Sequence, residues 1–323
     1  MKKELKGNLM LLLTAMIWGS GFVAQSEGMR YVGPLTMQAA RYLLSGLVLL
    51  PVIALRDRRG HSVNRPQNAA ERRHLLRCGL VCGILLAAAS TLQQYGLLYT
   101  TVGKSGFITA LYIILVPLIG LFLHQRAGLN IWLGVALSVA GLYFLCMTGG
   151  LGGVNLGDLL TLACSLGFAL HIQYVDHIGA GVDCVRLSCI QFFVSSLLAG
   201  IGMLIFEEPS LPALLSCAVP ILYAGILSGG AGYTLQILGQ QYTEPTIASL
   251  LMSLESVFAV LFGWLLLHQA LSTRELLGCG LMFAAIILAQ LPQKRKAAAY
   301  FQKAPDQAVG CFYTPCVDRC STA

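Results

Sequence analysis

The sequence predicts an all-α membrane protein of ten transmembrane helices, arranged as two inverted five-helix repeats. Three observations carry this: a chain with few charges, ten apolar stretches of bilayer length, and a polar-residue block that recurs in the second half. The 323 residues are 56% apolar and 11% charged, with a mean hydropathy of +0.73. Soluble domains carry about 25% charged residues, so so few cannot clothe a water-facing surface. The solvent must be largely lipid.

A helix crossing the hydrocarbon core needs about 20 apolar residues. The first half supplies such stretches at 8–27, 35–55, 75–98, 103–123 and 129–147. The second supplies 157–176, 185–206, 217–240, 245–267 and 273–291. The joining segments leave no room for a sizeable soluble domain. Barrel strands would alternate apolar and polar residues, and runs such as Leu9-Met10-Leu11-Leu12-Leu13 do not. Lys2, Lys3 and Lys6 ahead of an apolar run resemble a secretory leader, but that run continues through Trp18 to Ala24, which favours an uncleaved first span. Residues 1–7 are then a cytoplasmic N-terminus, 8–147 and 157–291 the two repeats, and 292–323 a cytoplasmic tail expected to be disordered.

Among the eleven cysteines, Cys78, Cys82, Cys146, Cys164, Cys189, Cys217 and Cys279 lie in or beside these spans. A thiol there behaves as a small apolar side chain. The tail cysteines Cys311, Cys316 and Cys320 match no zinc spacing, and metal binding, lipidation and plain disorder all fit them.

Lys and Arg report topology, because cytoplasmic loops retain them. With the N-terminus inside, seventeen basic residues fall on the cytoplasmic side, seven of them arginines between spans 2 and 3. Only Arg30, Lys104 and Arg274 fall outside, and Arg41 lies within span 2. Both termini therefore face the cytoplasm of a multi-pass inner (plasma) membrane protein. The net charge of +7 reflects topology and anionic headgroups, and nucleic acid is not an expected partner.

The repeat shows in Thr91-Leu-Gln-Gln-Tyr-Gly-Leu-Leu-Tyr-Thr100 and Thr234-Leu-Gln-Ile-Leu-Gly-Gln-Gln-Tyr-Thr243, which agree at six of ten positions, polar ones included. His124-Gln125 pairs with His268-Gln269, Leu133-Gly134 with Leu277-Gly278, and Gly7-Asn8-Leu9 resembles Gly157-Asp158-Leu159. Five spans per repeat is an odd number, so the second repeat enters the membrane from the opposite side. Inverted repeats recur in secondary transporters, where similar halves exchange inward-open and outward-open shapes around one central site. The alignment also sets Ala87-Ala88-Ala89 opposite Gly230-Ala231-Gly232. Small residues there suit close helix packing, and Gly229-Gly230 permits a bend.

Ile17-Trp18-Gly19-Ser20-Gly21-Phe22, Gly33-Pro34 with Ala40-Arg41-Tyr42-Leu43-Leu44, and Gly106-Phe107-Ile108-Thr109 with Leu115-Val116-Pro117-Leu118 resemble the drug/metabolite transporter superfamily, specifically its EamA-type members. The resemblance spans about residues 8–291. It implies a ten-helix fold of two inverted repeats that exports or exchanges small metabolites, in many members driven by proton or solute gradients. The family often carries an acidic residue at the end of each repeat's fourth helix. Here His124-Gln125 and His268-Gln269 stand there, so a role for that carboxylate does not carry over.

Charges at membrane depth are costly and point to function. Arg41 reads as an anion or carboxylate contact in the cavity, or as a structural arginine bonded to neighbouring helix ends. Glu255 sits mid-span; apolar surroundings disfavour the charged form of a carboxyl, which suits reversible proton binding, with a plain interhelical hydrogen bond as the alternative. His171 is the second candidate for proton coupling, or a hydrogen-bonded core histidine. Gln93 and Gln236 are repeat-related and either face the cavity or bond between helices. Trp18 and Tyr112 offer a stacking wall or core packing, and Lys104 a substrate contact or a snorkelling side chain.

The function these residues imply is a secondary transporter of a small organic metabolite working by alternating access, with proton coupling through Glu255. Its partners are that solute and the bilayer, with a homodimer left open. A lipid-carrier flippase on the same scaffold and a membrane-embedded enzyme are the alternatives. An enzyme would need a nucleophile–base pair or metal ligands at depth. No HExxH and no GxxxxGK[ST] occurs, so no catalytic residue, metal or cofactor is expected.

Overall fold

A chain surrounded by lipid must satisfy every backbone polar group within itself, and helices do this locally. The computed structural model describes residues 2–60, 62–100, 102–123, 125, 128–146, 155–178, 181–258, 261–262 and 272–290, and the regular structure among these is helical, with no strand. The tail from residue 292, His124 and His268-Gln269 lie outside the described residues.

In order, the first half forms α1 (Lys2–Gly28), α2 (Pro34–Arg58), α3 (Ala69–Tyr99), α4 (Val102–Thr109), α5 (Tyr112–Phe122) and α6 (Leu129–Cys146). The second forms α7 (Leu156–Ile178), α8 (Cys184–Phe206), α9 (Leu211–Ser216), α10 (Ala218–Gln240), α11 (Pro245–Met252) and α12 (Thr273–Gln290). Six of these, α1, α2, α3, α7, α8 and α10, are long and apolar enough to cross a membrane. Start signals are local. Pro34 and Pro245 occupy first-turn positions where a missing N–H costs nothing. Asn68 accepts from the Glu71 N–H at 2.8 Å while its amide donates to the Glu71 carboxylate at 2.7 Å, a reciprocal cap for α3.

The bundle is apolar outside and polar inside. Leu76, Leu80 and Ile84 line an outer stripe of α3, as Leu159, Leu162, Leu166 and Leu170 do on α7. Thr14, Gln38, Ser45, Ser90, Gln94, Ser165 and Ser195 are buried. A soluble protein does the reverse; lipid as solvent explains the pattern.

The helices pair in a reciprocal way: α1 with α10 and α3 with α7, α2 with α8, α6 with α12. The glycine contacts show the same relation at atomic scale. A Cβ on Gly7 would lie 2.9 Å from the Gly239 carbonyl oxygen, and one on Gly157 2.7 Å from that of Gly96. Beside them the Thr243 hydroxyl donates to Asn8 Oδ1 at 3.0 Å, and the Thr100 hydroxyl to Asp158 Oδ1 at 2.8 Å. Thus α1 begins where α10 ends, and α7 begins where α3 ends. Three successive helices, each reversing the chain, separate the start of α1 from the end of α3. The two halves therefore start at opposite ends of the bundle.

A second reciprocal pair closes α2 against α8. Glu207, at the end of α8, accepts from the Leu35 and Thr36 N–H groups at 2.8 Å each and from the Thr36 hydroxyl at 2.6 Å. A carboxylate suits the positive end of a helix dipole. At the opposite end, Asp57 of α2 pairs with Arg186 in the first turn of α8.

Two departures from regular helix matter for the site. The span expected over 103–123 is interrupted at Ala110 and Leu111, and the α11 stretch at Ser253 and Leu254, before helix resumes at Tyr112 and at Glu255. In α10, Tyr223–Tyr233 is a π-helix around Gly229-Gly230, whereas α3 is regular at its Ala87-Ala88-Ala89 counterpart. The wider turn is anchored from outside: Trp18 Nε1 donates to the Ser228 carbonyl at 3.1 Å, the Thr14 hydroxyl to that of Gly232 at 3.2 Å, and the Ser45 hydroxyl to that of Gly225 at 2.7 Å.

Candidate functional site

Where the two halves meet, a cavity of about 40 Å³ opens between α1, α2, α3, the α4–α5 break, α7, α10 and the break after α11. Ten of its fourteen lining residues form five repeat-related pairs: Trp18 with Phe168, Phe22 with Ile172, Gln93 with Gln236, Thr109 with Met252, and Tyr112 with Glu255. The first two pairs keep the spacing that relates Gly7 to Gly157; the others keep the spacing that relates Thr91 to Thr234. The cavity thus lies on the relation between the halves. The remaining four, Gln25, Arg41, Ser228 and Tyr233, break it.

Arg41 is buried at 4% exposure. Its guanidinium donates to Gln25 Oε1 and, at 3.2 Å, to the Tyr42 hydroxyl, and it sits 4.6 Å from the Tyr42 ring centroid. Gln25 Oε1 also accepts from Gln94 Nε2 at 3.2 Å, and Tyr42 shares a 2.6 Å hydrogen bond with Ser90. Arg41 Nε has no hydrogen-bond partner. No carboxylate among the described residues pairs with Arg41, so neutral oxygens alone hold a full positive charge. A buried charge is costly unless paired, and a guanidinium with an unpartnered Nε keeps a donor free toward the cavity.

Glu255, 5% exposed, lines the same cavity. Its recorded hydrogen bond is from the Tyr112 hydroxyl to Oε1 at 3.3 Å. Gln93 Nε2 donates to the Thr109 hydroxyl at 3.3 Å and Gln236 Nε2 to Gln240 Oε1 at 3.1 Å, so the two glutamines share the cavity without bonding each other. Gln236 Oε1 is buried without a partner. Trp18 packs its ring 4.6 Å from that of Tyr233.

The cavity therefore gathers Arg41, Glu255, Gln93, Gln236, Trp18 and Tyr112. It does not gather His171, which is fully buried behind it, 3.0 Å from Gln191 Oε1 through Nε2 and edge-on to the Tyr233 ring at 6.3 Å. Lys104 lies on α4, and its side chain lies outside the described residues. Gln25, Phe22, Phe168, Tyr233 and Ser228 were not singled out in sequence. Phe168 was findable as the repeat counterpart of Trp18; Gln25 carried only the signal of a polar residue in an apolar span.

A cavity of about 40 Å³ holds a few waters, since one needs roughly 10–15 Å³ on this measure. Organic ligands occupy pockets of about 300–1,000 Å³. The space between these polar groups is thus well below that of an organic-ligand pocket.

Comparison with known proteins agrees with this architecture. A solved structure, described as "Crystal structure of protein", superposes with a TM-score of 0.73 at 19% identity, over 88% of this chain and 96% of the other, and shows the shared fold. An uncharacterized transporter of Archaeoglobus fulgidus is 28% identical over 90% of this chain and 87% of its own. The uncharacterized inner membrane transporter YedA of Escherichia coli is 28% identical over 90% and 94%, and the uncharacterized transporter YoaV of Bacillus subtilis 21% over 86% and 94%. The profile of the EamA-like transporter family matches twice, over residues 5–147 and 155–291. With one family domain in each half, the chain is a transmembrane transport protein and belongs to the EamA-like transporter family.

Proposed function

We propose that this chain is a secondary transporter that exports or exchanges a small organic metabolite by alternating access across the inner membrane, with both termini cytoplasmic. The observation that carries the reading is the cavity between the halves, lined by both Arg41 and Glu255, which form no ion pair with each other. In this reading the chain crosses the membrane ten times, each broken α4–α5 and α11 stretch counting as one crossing. Broken helices at the point where two inverted halves meet are where such transporters hold their cargo.

Arg41 supplies the fixed charge for a carboxylate or similar anionic group, and Gln93, Gln236 and Gln25 offer neutral hydrogen bonds. Trp18 and Phe168 form apolar walls. Glu255 binds and releases the coupling proton. The basic residues clustered between α2 and α3 hold that loop on the cytoplasmic side.

The test begins by comparing metabolites released by cells with and without the gene, to name the solute. Counterflow of that solute into proteoliposomes, with and without an imposed pH gradient, follows. Arg41→Ala is expected to cut uptake by at least tenfold, and Glu255→Gln to abolish the response to the gradient. Normal transport by both variants would overturn the site assignment.

A further inference from the structure

The interruptions in the fourth helical stretch of each half are the same interruption. In the first half, Leu111 N–H donates to the Ile108 carbonyl at 3.2 Å and Ile113 N–H to that of Ala110 at 3.1 Å. In the second, Leu254 N–H donates to the Leu251 carbonyl at 3.3 Å and Ser256 N–H to that of Ser253 at 3.2 Å. Each residue in one set is the repeat counterpart of one in the other, at the spacing that relates Gln93 to Gln236. Both stretches shift from four-residue to three-residue hydrogen bonding, a tightening that marks hinges within helices. Neither break contains glycine or proline, so local sequence does not demand it.

The first residue after each break is Tyr112 in one half and Glu255 in the other, each 3% to 5% exposed and each facing the cavity. They meet: the phenol hydroxyl donates to Glu255 Oε1 at 3.3 Å. Two repeat-related hinges are thereby tied to each other through their side chains. Resting on the transporter reading above, we propose that Tyr112 is the positioning residue for Glu255, and that their hydrogen bond is a latch between the halves that holds both fourth-helix hinges in the closed conformation. A solute group that competes for the Tyr112 donor or the Glu255 acceptor releases it. The charged and titratable groups around the pair are Cys164 of α7, Tyr233 of α10 and, lining the same cavity, Arg41 of α2.

The test needs no knowledge of the solute. Hydrogen–deuterium exchange is followed on the full chain in lipid nanodiscs, reading residues 102–122 and 245–258 separately. Tyr112→Phe keeps the ring and removes the donor. It is expected to speed exchange in 245–258, the half that was not mutated, by about fivefold, as for one lost hydrogen bond. Glu255→Met removes the acceptor and is expected to do the same to 102–122. Glu255→Gln retains an acceptor oxygen and is expected to restore protection in both segments. The double variant Tyr112→Phe/Glu255→Met is expected to exchange no faster than either single one. A merely packing role for Tyr112 predicts no change across the halves and additive effects; either result overturns the latch. Because the readout is exchange and the transport reading is tested by counterflow, failure of one is distinguishable from failure of the other.

Discussion

Gly157→Ala tests the joint at which the second half begins. The added methyl would lie 2.7 Å from the Gly96 carbonyl oxygen, 2.9 Å from the Thr100 nitrogen and 2.9 Å from the Tyr99 carbonyl carbon. All three are backbone atoms of one helix end, so no side chain can rotate away. Ordinary contact starts at 3.4 Å, and α3 must retreat from α7 by about 0.7 Å along that contact. Overpacking of this kind costs about 1–3 kcal/mol. Against it stands the helix preference of alanine over glycine, at most about 1 kcal/mol. The net expectation is a loss of about 1–2 kcal/mol. Gly7→Ala makes a comparable approach, to the Thr243 hydroxyl oxygen at 2.6 Å and to Gly239 O and Tyr242 Cβ at 2.9 Å, and is expected to lose a similar amount. Gly200 and Gly280 are the controls, since a methyl at either meets nothing within 4 Å, and alanine there is expected to gain about 0.5–1 kcal/mol. Unfolding in mixed micelles by titration with a denaturing detergent compares all four variants. If Gly157→Ala proves as stable as Gly200→Ala, the close crossing of α3 and α7 is wrong, and with it the reciprocal joint that sets the two halves at opposite ends.

Glu207→Ala removes the acceptor that closes three donors at the start of α2. It is expected to cost about 1–2 kcal/mol in the same titration, with Glu207→Gln recovering part of it. Trp18→Phe keeps the aromatic wall and deletes the bond to the Ser228 carbonyl. That leaves a turn of the π-helix unanchored, and amide exchange over residues 223–233 is expected to rise about fivefold.

Much of the bundle was legible because lipid imposes a simple rule: apolar runs of sufficient length become helices. The run expected at 185–206 corresponds to Cys184–Phe206, and that at 157–176 to Leu156–Ile178. The run expected at 75–98 is longer in the structure, beginning at Ala69. Glu71, Arg72, Arg73 and Arg77 cost a helix nothing once it has left the hydrocarbon, and the Asn68 cap extends it. The breaks at 110–111 and 253–254 were not legible, since alanine, leucine and serine carry no stop signal. Pro117, which does carry one, lies within the continuous helix Tyr112–Phe122. The π-helix showed in sequence only as the freedom of Gly229-Gly230. For the cavity, the cost of charge at depth marks Arg41 and Glu255 in the sequence, and the repeat marks Gln93 and Gln236. His171 is buried at the same cost, but its Nε2 meets Gln191 away from the cavity while its Nδ1 has no hydrogen-bond partner. Depth alone does not say which buried polar group faces a solute.

The relation between the halves is close in shape and broken in chemistry, and the break is informative. At the spacing that relates Gly7 to Gly157, Gln191 is the counterpart of Arg41 and Val175 that of Gln25. Tyr42 and its counterpart Phe192 stack on each other at 5.8 Å with rings 11° from parallel, so the frame around the arginine is retained where the charge is not. In the same way Tyr112 stands opposite Glu255. The cation therefore belongs to the first half and the carboxyl to the second, on frames that match. If the halves exchange conformations, each end of the bundle opens onto the same two groups, and the cargo meets the cation on one half and the carboxyl on the other whichever side it enters from. In the alternating-access reading proposed above, the matched backbone provides for two-sided access, and the mismatched side chains give one polarity of binding.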